Sequence, residues 1–323
     1  MKGAQARLAS AFAALASALA VPQSAPAQDA PPSPAALVEE VEVIARLPGP
    51  ALWRVSTPTS QLWILGMAGR LPKGFQWDDR RVAAALDGAR ELVLPPVASG
   101  GLGDLISIMA DRDHIRHLPP GETVRGDLPL ALSGRWEAAA RSVGQNPARY
   151  DHWRPTLAAL MLASDGEDHY RLVDNPMARV LALAKDRRVR LRPVAGYKVA
   201  DLLRAPADAP AGAVQVCIAL AAEKIERLPV DGPRQATAWA TGDIGSLKSI
   251  VGAFGLGTCQ DAAPAVAAFR NRAAADWAKE LGQALASPGK TVVAVDLDNL
   301  TRKGGLLDQL KAQGLDVIGP VYR

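Results

Sequence analysis

The side chains able to do chemistry in this sequence are few enough to weigh one by one. Two of its four histidines stand in His114-Ile-Arg-His117, close to Asp111 and Asp113. At i, i+3 spacing such ligand types can share one helical face and hold a metal. The run leads straight into Pro119-Pro120 and offers no third ligand at a recognisable spacing, so we read it as a surface loop. His152, before Trp153, reads as a packing or capping residue, and His169, beside Glu167 and Asp168, as part of a polar turn between helices. Neither has the neighbours a general base needs. Ser99-Gly-Gly-Leu-Gly103 and Gly252-Ala-Phe-Gly-Leu-Gly257 lack the strand–turn–helix setting of a nucleotide fingerprint. No G-x-S-x-G marks a serine hydrolase. Near the C-terminus Asp296, Asp298 and Asn299 follow an apolar run, and their oxygens suit a hard cation, weakly held.

The elements that must position these residues follow from periodicity and turn chemistry. Leu52–Val55 and Gln61–Leu65 are β-prone runs around Ser56-Thr-Pro-Thr-Ser60, which predicts a hairpin. A helix is expected over Asp79–Arg90, then a buried strand, Glu91–Leu94, stopped by Pro95-Pro96. The middle reads as helices at Leu128–Val143, Pro155–Ala163, Asn175–Lys185, Ala211–Arg227 and Arg234–Ile250, with a strand at Val189–Pro193. Pro264–Ala286 is the longest helix, with Phe269, Ala273, Trp277, Leu281 and Leu285 on one face. The chain closes with strand Thr291–Leu297, helix Gly305–Gln313, Gly314 at a helix C′ position, and strand Leu315–Ile318. The pattern predicts an α/β (α+β) protein: a mixed central sheet from the N- and C-terminal thirds, helices on its faces, and a helical middle. Most of the seven tryptophans fall at apolar positions of these elements, so core packing outranks a carbohydrate platform.

The N-terminus reads as an export signal. Lys2 and Arg7 precede the apolar stretch Leu8–Val21, and Ala25-Pro26-Ala27 supplies small-x-small cleavage residues, so residues 1–27 are expected to be removed. A retained amphipathic anchor is the other reading of this segment. Residues 28–48, rich in Pro and Ala and then acidic, read as a linker, and 49–323 as a single domain. No later stretch is apolar for the ~18 residues a membrane span needs. The charge of +4 falls with loss of the leader, and the basic run Lys185–Arg192 reads as a solvated helix end. Nucleic-acid binding is therefore not expected. In an oxidising compartment Cys217 and Cys259 are first read as a disulfide, closing a loop of about 40 residues worth roughly 4 kcal/mol. Two separate buried thiols are the alternative.

Ordered along the chain, several segments resemble the TraB/GumN family: Leu52-Trp-Arg-Val55, Leu62-Trp-Ile-Leu-Gly66, Leu71-Pro72, Leu92-Val-Leu94, Leu118-Pro-Pro-Gly-Glu-Thr123, Trp153-Arg-Pro155 and Trp239-Ala-Thr-Gly-Asp243. Arg270-Asn271 and Gly305-Leu-Leu-Asp-Gln-Leu310 to Gly314-Leu-Asp-Val317 complete the match. The resemblance implies an erythromycin-esterase/TraB-like fold and metal-dependent hydrolysis, in some members of peptides. It also implies a GxxH after the first hairpin, a glutamate at the end of the next strand, a Glu-Arg-Asn, and a second GxxH before Gly-Leu-Leu. In such a site imidazoles and carboxylates hold an ion that acidifies a bound water. Here Gly66-Met-Ala-Gly69 places glycine at the first histidine, Pro95 stands at the glutamate, Phe269 at the second glutamate, and Asp296-Leu-Asp-Asn299 puts asparagine at the second histidine.

The resemblance thus implies a vestigial pocket at Gly66, Gly69, Pro95, Arg270, Asn271, Asp296, Asp298 and Asn299, with no catalytic residue, no metal and no cofactor beyond a weakly held divalent cation. Its topology brings Asp296, Asp298 and Asn299 to one rim facing Arg270. That rim is either a ligand pocket in which Arg270 pairs an anion, or an internal salt bridge filling the space the metal left. The expected protein is an exported, periplasmic, non-catalytic relative that binds a peptide, a small ligand or an envelope protein. A hydrolase rebuilt on Asp296 and Asp298, and a structural envelope protein, are the alternatives.

Overall fold

The period-two alternation of the apolar runs becomes two faces of one sheet. The computed structural model describes residues 49–198, 201, 211–252 and 264–322. The expected leader, the linker and Cys259 lie outside these residues. Strands β1 (Leu52–Ser56) and β2 (Ser60–Met67) form the predicted antiparallel hairpin, closed by a Thr57 N–H to Ser60 carbonyl bond of 2.9 Å. A short β3 (Leu71–Pro72) leads to α1 (Arg80–Leu86) and β4 (Glu91–Leu94), which Pro95 ends as expected. Helix α1 stops four residues before the predicted end because Gly88 turns the chain at φ +66°. Beyond Pro96 come β5 (Val97–Ser99), α2 (Leu102–Ala110), α3 (Arg112–Arg116) and α4 (Leu130–Ser142). Next are α5 (Pro155–His169), β6 (Leu172–Asp174), α6 (Pro176–Asp186), β7 (Arg190–Pro193) and β8 (Gly196–Lys198). The chain continues through α7 (Ala211–Ala240), α8 (Ile244–Gly252), α9 (Pro264–Ala286), β9 (Gly289–Asp296), α10 (Leu297–Thr301), α11 (Leu306–Ala312) and β10 (Val317–Ile318).

Six of these strands make a mixed sheet in the order β10-β1-β2-β9-β4-β7, with β2, β9, β4 and β7 all parallel. Trp53, Val55, Leu62, Ile64, Val93, Val293 and Val295 point to one face, under Trp239 of α7, Trp277 and Leu281 of α9, and Leu307 of α11. Their neighbours Leu52, Leu65, Leu92, Val292 and Ala294 point to the other, under Val82 and Leu86 of α1 and Val180 and Leu183 of α6. Both faces are covered, as parallel strands require. The helical middle has its own core, in which Trp136, Tyr150, Ala159, Leu162, Ile218 and Ile225 join α4, α5 and the first half of α7.

Helix α7 corrects the sequence reading of two helices broken near Leu228. It runs unbroken through Pro229 and Pro233, and the chain turns only at Gly242, φ +67°. Each proline removes one helix hydrogen bond, yet burial holds the helix on both sides. Ile225 packs in the helical core and Trp239 in the sheet core, so α7 spans the two. At the N-terminal ends of the strands lies an ionic cluster no motif announced. Arg192 of β7 holds Glu280 of α9 through two bonds of 2.9 and 2.5 Å and reaches Glu91 of β4 at 3.2 Å. Arg190 joins Glu91 at 2.6 Å. Both carboxylates are buried, 3% and 5% exposed for Glu91 and Glu280.

The histidines need correction too. His114 lies in the short helix α3 rather than in a loop, with its ring nitrogen 3.2 Å from Arg154. His117 pairs with Asp113 at 3.6 Å and sets its ring edge against Trp153. His152 is exposed, not packed, and it is its carbonyl that is used, accepting from Leu118 N–H.

Candidate functional site

Parallel strands leave their carboxyl ends on one edge, where open α/β sheets bind ligands. Met67 at the end of β2 is in register with Asp296 at the end of β9, and Leu94 of β4 with Pro193 of β7. Because β9 lies between β2 and β4, the residues that follow those strands flank Asp296. At a strand spacing of about 4.8 Å, the ends of β2 and β4 are roughly 10 Å apart. Gly69, Pro95 and Asp296–Asn299 therefore follow neighbouring strand ends, though far apart in sequence. Helix α9 brings Arg270, whose Nη2 donates to Asp298 Oδ2 at 3.3 Å.

The two remaining positions differ from the expected pocket. Gly66 lies within β2 and faces inward: a Cβ there would sit 2.7 Å from Leu297 Cδ1 and 3.1 Å from Trp53 Cζ3. Its carbonyl accepts from Trp239 Nε1 at 2.9 Å. Gly66 is thus a packing residue of the site's floor, and Asn271 lies exposed on α9.

The carboxylates at this edge already have structural tasks. Asp296 caps α10, its Oδ1 accepting from Asp298 N–H at 3.0 Å and from Asn299 N–H at 3.4 Å. Protein packed about its carboxyl raises the pKa above the ordinary range, although the residue itself keeps exposed surface. The Asp298 charge adds to that, while the two N–H bonds and Arg270 act against it. Asp298 itself is held in the Arg270 ion pair. Phe269, where the resemblance implies a second glutamate, packs edge-on against Tyr197 with ring centroids 4.6 Å apart. The Tyr197 hydroxyl donates to Asp276 Oδ2 at 2.5 Å, and burial together with that carboxylate pushes the phenol up to about 12.

The donor set does not fit a hydrolytic metal. Gly69, Pro95 and Phe269 carry no ligand atom in their side chains, Asn299 offers one weak amide oxygen, and Asp296 Oδ1 accepts the two cap bonds of α10. Among the described residues no three His, Cys, Asp or Glu side chains are gathered as a metal cluster. Cys217 is wholly buried in the helical core, and its expected partner Cys259 lies outside the described residues.

Two cavities adjoin this edge, and sequence reasoning found neither. One, about 360 Å³ and open, is lined by Met67, Leu94, Pro95, Val97, Met177 and Leu181 among others, so it is largely apolar around Pro95, where the resemblance implies a glutamate. The other, about 160 Å³, lies beside Gly69 between α5 and α7, and Glu167, Lys224, Asp231 and Gln235 supply its polar lining. Lys224, Leu228, Asp231 and Gln235 fall at i, i+4, i+7 and i+11, a stripe the sequence displays once α7 is known to be continuous.

The model of the TraB/PrgY/gumN family matches residues 51–318. No curated protein and no solved structure matches the chain.

Proposed function

The chain belongs to the TraB/PrgY/gumN family, and from that premise we propose that it is an exported, non-hydrolytic member that binds its ligand at the carboxyl edge of the sheet. The observation that carries this reading is the Arg270–Asp298 pair, together with the Asp296 cap, at the sheet edge where the resemblance implies the family's ligands and this sequence has Gly69, Pro95 and Asn299. A rebuilt hydrolase would have to hold its ion on these two carboxylates while Arg270 stays paired with Asp298 and Asp296 Oδ1 stays in the cap, which disfavours that reading. The cavities beside Gly69 and Pro95 give the edge room for a peptide or small ligand. The export half of the proposal rests on the charged and apolar leader and its Ala25-Pro26-Ala27 site, and it predicts a periplasmic protein with a mature start near Gln28.

The test is metal content and a thermal-shift scan over Mn²⁺, Co²⁺, Zn²⁺ and Ca²⁺, with peptidase assays under the same conditions. Metal-free protein with no shift and no hydrolysis is the expected result. Stoichiometric metal that disappears in Asp296→Ala would overturn the reading and favour a hydrolase rebuilt on carboxylates. N-terminal sequencing of protein from a periplasmic fraction checks export, and an intact Met1 leader would refute cleavage.

A further inference from the structure

We propose that two copies of this chain associate through β5 and α2, strand edge against strand edge and helix against helix across a two-fold axis. Helix α2 carries its apolar stripe on the outside. Leu105, Ile106 and Met109 are 53%, 59% and 68% exposed, whereas Asp104, Ser107 and Ile108 are half-buried. On a helix of 3.6 residues per turn the first three share one face and the second three the opposite one. The usual arrangement of a surface helix is thus reversed, and none of the described side chains of α2 is buried.

The strand before it has an open edge. Among the described residues β5 pairs with β8 alone, in parallel register, and the Val97 N–H donates to the Ala195 carbonyl at 3.0 Å. Successive residues of a strand turn their N–H and C=O to opposite edges, so those of Ala98 face away from β8. All three residues of β5 are exposed. Natural edges are blunted by charge, or by proline within the strand, and β5 has neither. Antiparallel pairing of two Ala98 residues across a two-fold axis closes both edges, each N–H donating to the other copy's carbonyl.

The absence of charge selects a second copy as the occupant. None of residues 92–103 is charged, so a partner of opposite charge finds nothing there to pair with, and a second copy meets no repulsion. A lipid surface covers the stripe but leaves the Ala98 N–H and C=O without a partner in an apolar medium. The surface spans residues 97–110, fewer than the roughly 20–30 residues a side of a standard interface, so the dimer is a weak one. Val97 also lines the groove at Pro95, which sets the second copy's strand beside that groove.

Sedimentation velocity of the mature protein over a concentration series tests this, with a doubling of mass expected at a midpoint on the order of 10–100 μM. Ile106→Lys with Met109→Lys is expected to weaken association about tenfold or more and to leave the circular dichroism unchanged, because both side chains are exposed. Ala98→Pro removes an N–H that β8 does not use and is expected to weaken the dimer as well. Ala98→Cys should cross-link the two copies through that residue under mild oxidation, since Cα atoms about 5.5 Å apart suit a disulfide. If Ala98→Pro does not fold, the cross-link carries the strand half of the test. A monomer throughout the series, a dimer indifferent to the two lysines, or a dimer with no cross-link at position 98 would overturn the proposal. So would a monomer that binds phosphatidylglycerol vesicles through Met109, which assigns the stripe to lipid. Metal content reads the non-hydrolytic assignment separately, so a metal-free monomer sinks only this inference.

Discussion

Replacing Arg192 by methionine removes the guanidinium that satisfies Glu280 and part of Glu91, and it leaves a similar volume of apolar stem. Glu280 has no other hydrogen-bond donor among the described residues, and it is 5% exposed. Breaking a buried pair on one side costs about 3–5 kcal/mol because a desolvated charge is left behind. Arg192 is itself a third exposed, so the lower end applies, about 3 kcal/mol. Removing both partners, Arg192→Met with Glu280→Leu, is expected to recover most of that loss, since Glu91 keeps Arg190 at 2.6 Å. The assay is urea unfolding at pH 7, followed by circular dichroism. Acid supplies a second readout. Burial alone would raise the Glu91 pKa, but its bonds to Arg192 and Arg190 outweigh that and hold it below the usual 4.5. Its contribution is therefore present above that value and is lost as pH falls through the depressed folded pKa. The variant lacks part of it, so the gap between the two proteins should narrow in acid. A loss below about 1 kcal/mol, or a double variant no more stable than the single, would refute the reasoning.

Other substitutions probe the floor of the site. Gly66→Ala forces a methyl to 2.7 Å from Leu297 Cδ1, and should cost about 1–3 kcal/mol in chemical denaturation; a neutral effect would show that Leu297 swings away freely. Trp239→Phe strips the 2.9 Å bond from the buried Gly66 carbonyl and is expected to cost about 1–3 kcal/mol, read by the same assay. Non-reducing peptide mapping should recover Cys217 and Cys259 in one cross-linked fragment, with reduction lowering stability by about 2–4 kcal/mol; two unlinked peptides would end the proposal of a bridge.

How far the sequence reveals this fold depends on where its information is local. Leu62, Ile64 and Leu65, and Val292 through Val295, alternate at the period of a strand buried on both faces, and the sheet follows from them. The stop at Pro95 and the turn at Gly314 are equally local, and both hold. The continuity of helix α7 is not legible locally, because Pro229 and Pro233 carry a strong breaking signal that long-range packing overrides, with Leu172 against Gly232 and Ile225 against Gly166. The rim of Asp296, Asp298 and Arg270 came from the family's chain order. The cavity beside Gly69 was hidden because its walls come from three separate segments, and the stripe on α7 was cut in two by the misplaced break. The Glu91–Arg192–Glu280 cluster was invisible for the same reason: charges in β4, β7 and α9 look solvated until the strands pair.

The place of β9 has a kinetic consequence. Its residues lie far downstream of β2 and β4, yet Ser60 of β2 pairs with Gly289 and Glu91 of β4 with Thr291, so this strand fills the middle of the sheet. Until it arrives, β2 and β4 have no partner between them, and both present unpaired edges. Contacts so distant in sequence make folding slow, because loop closure must precede the stabilising pairings. A chain made from its N-terminus therefore keeps β2 and β4 unjoined until β9 has been made. Stopping synthesis before Gly289 should yield an aggregating, protease-sensitive product rather than a folded fragment, which limited proteolysis would reveal.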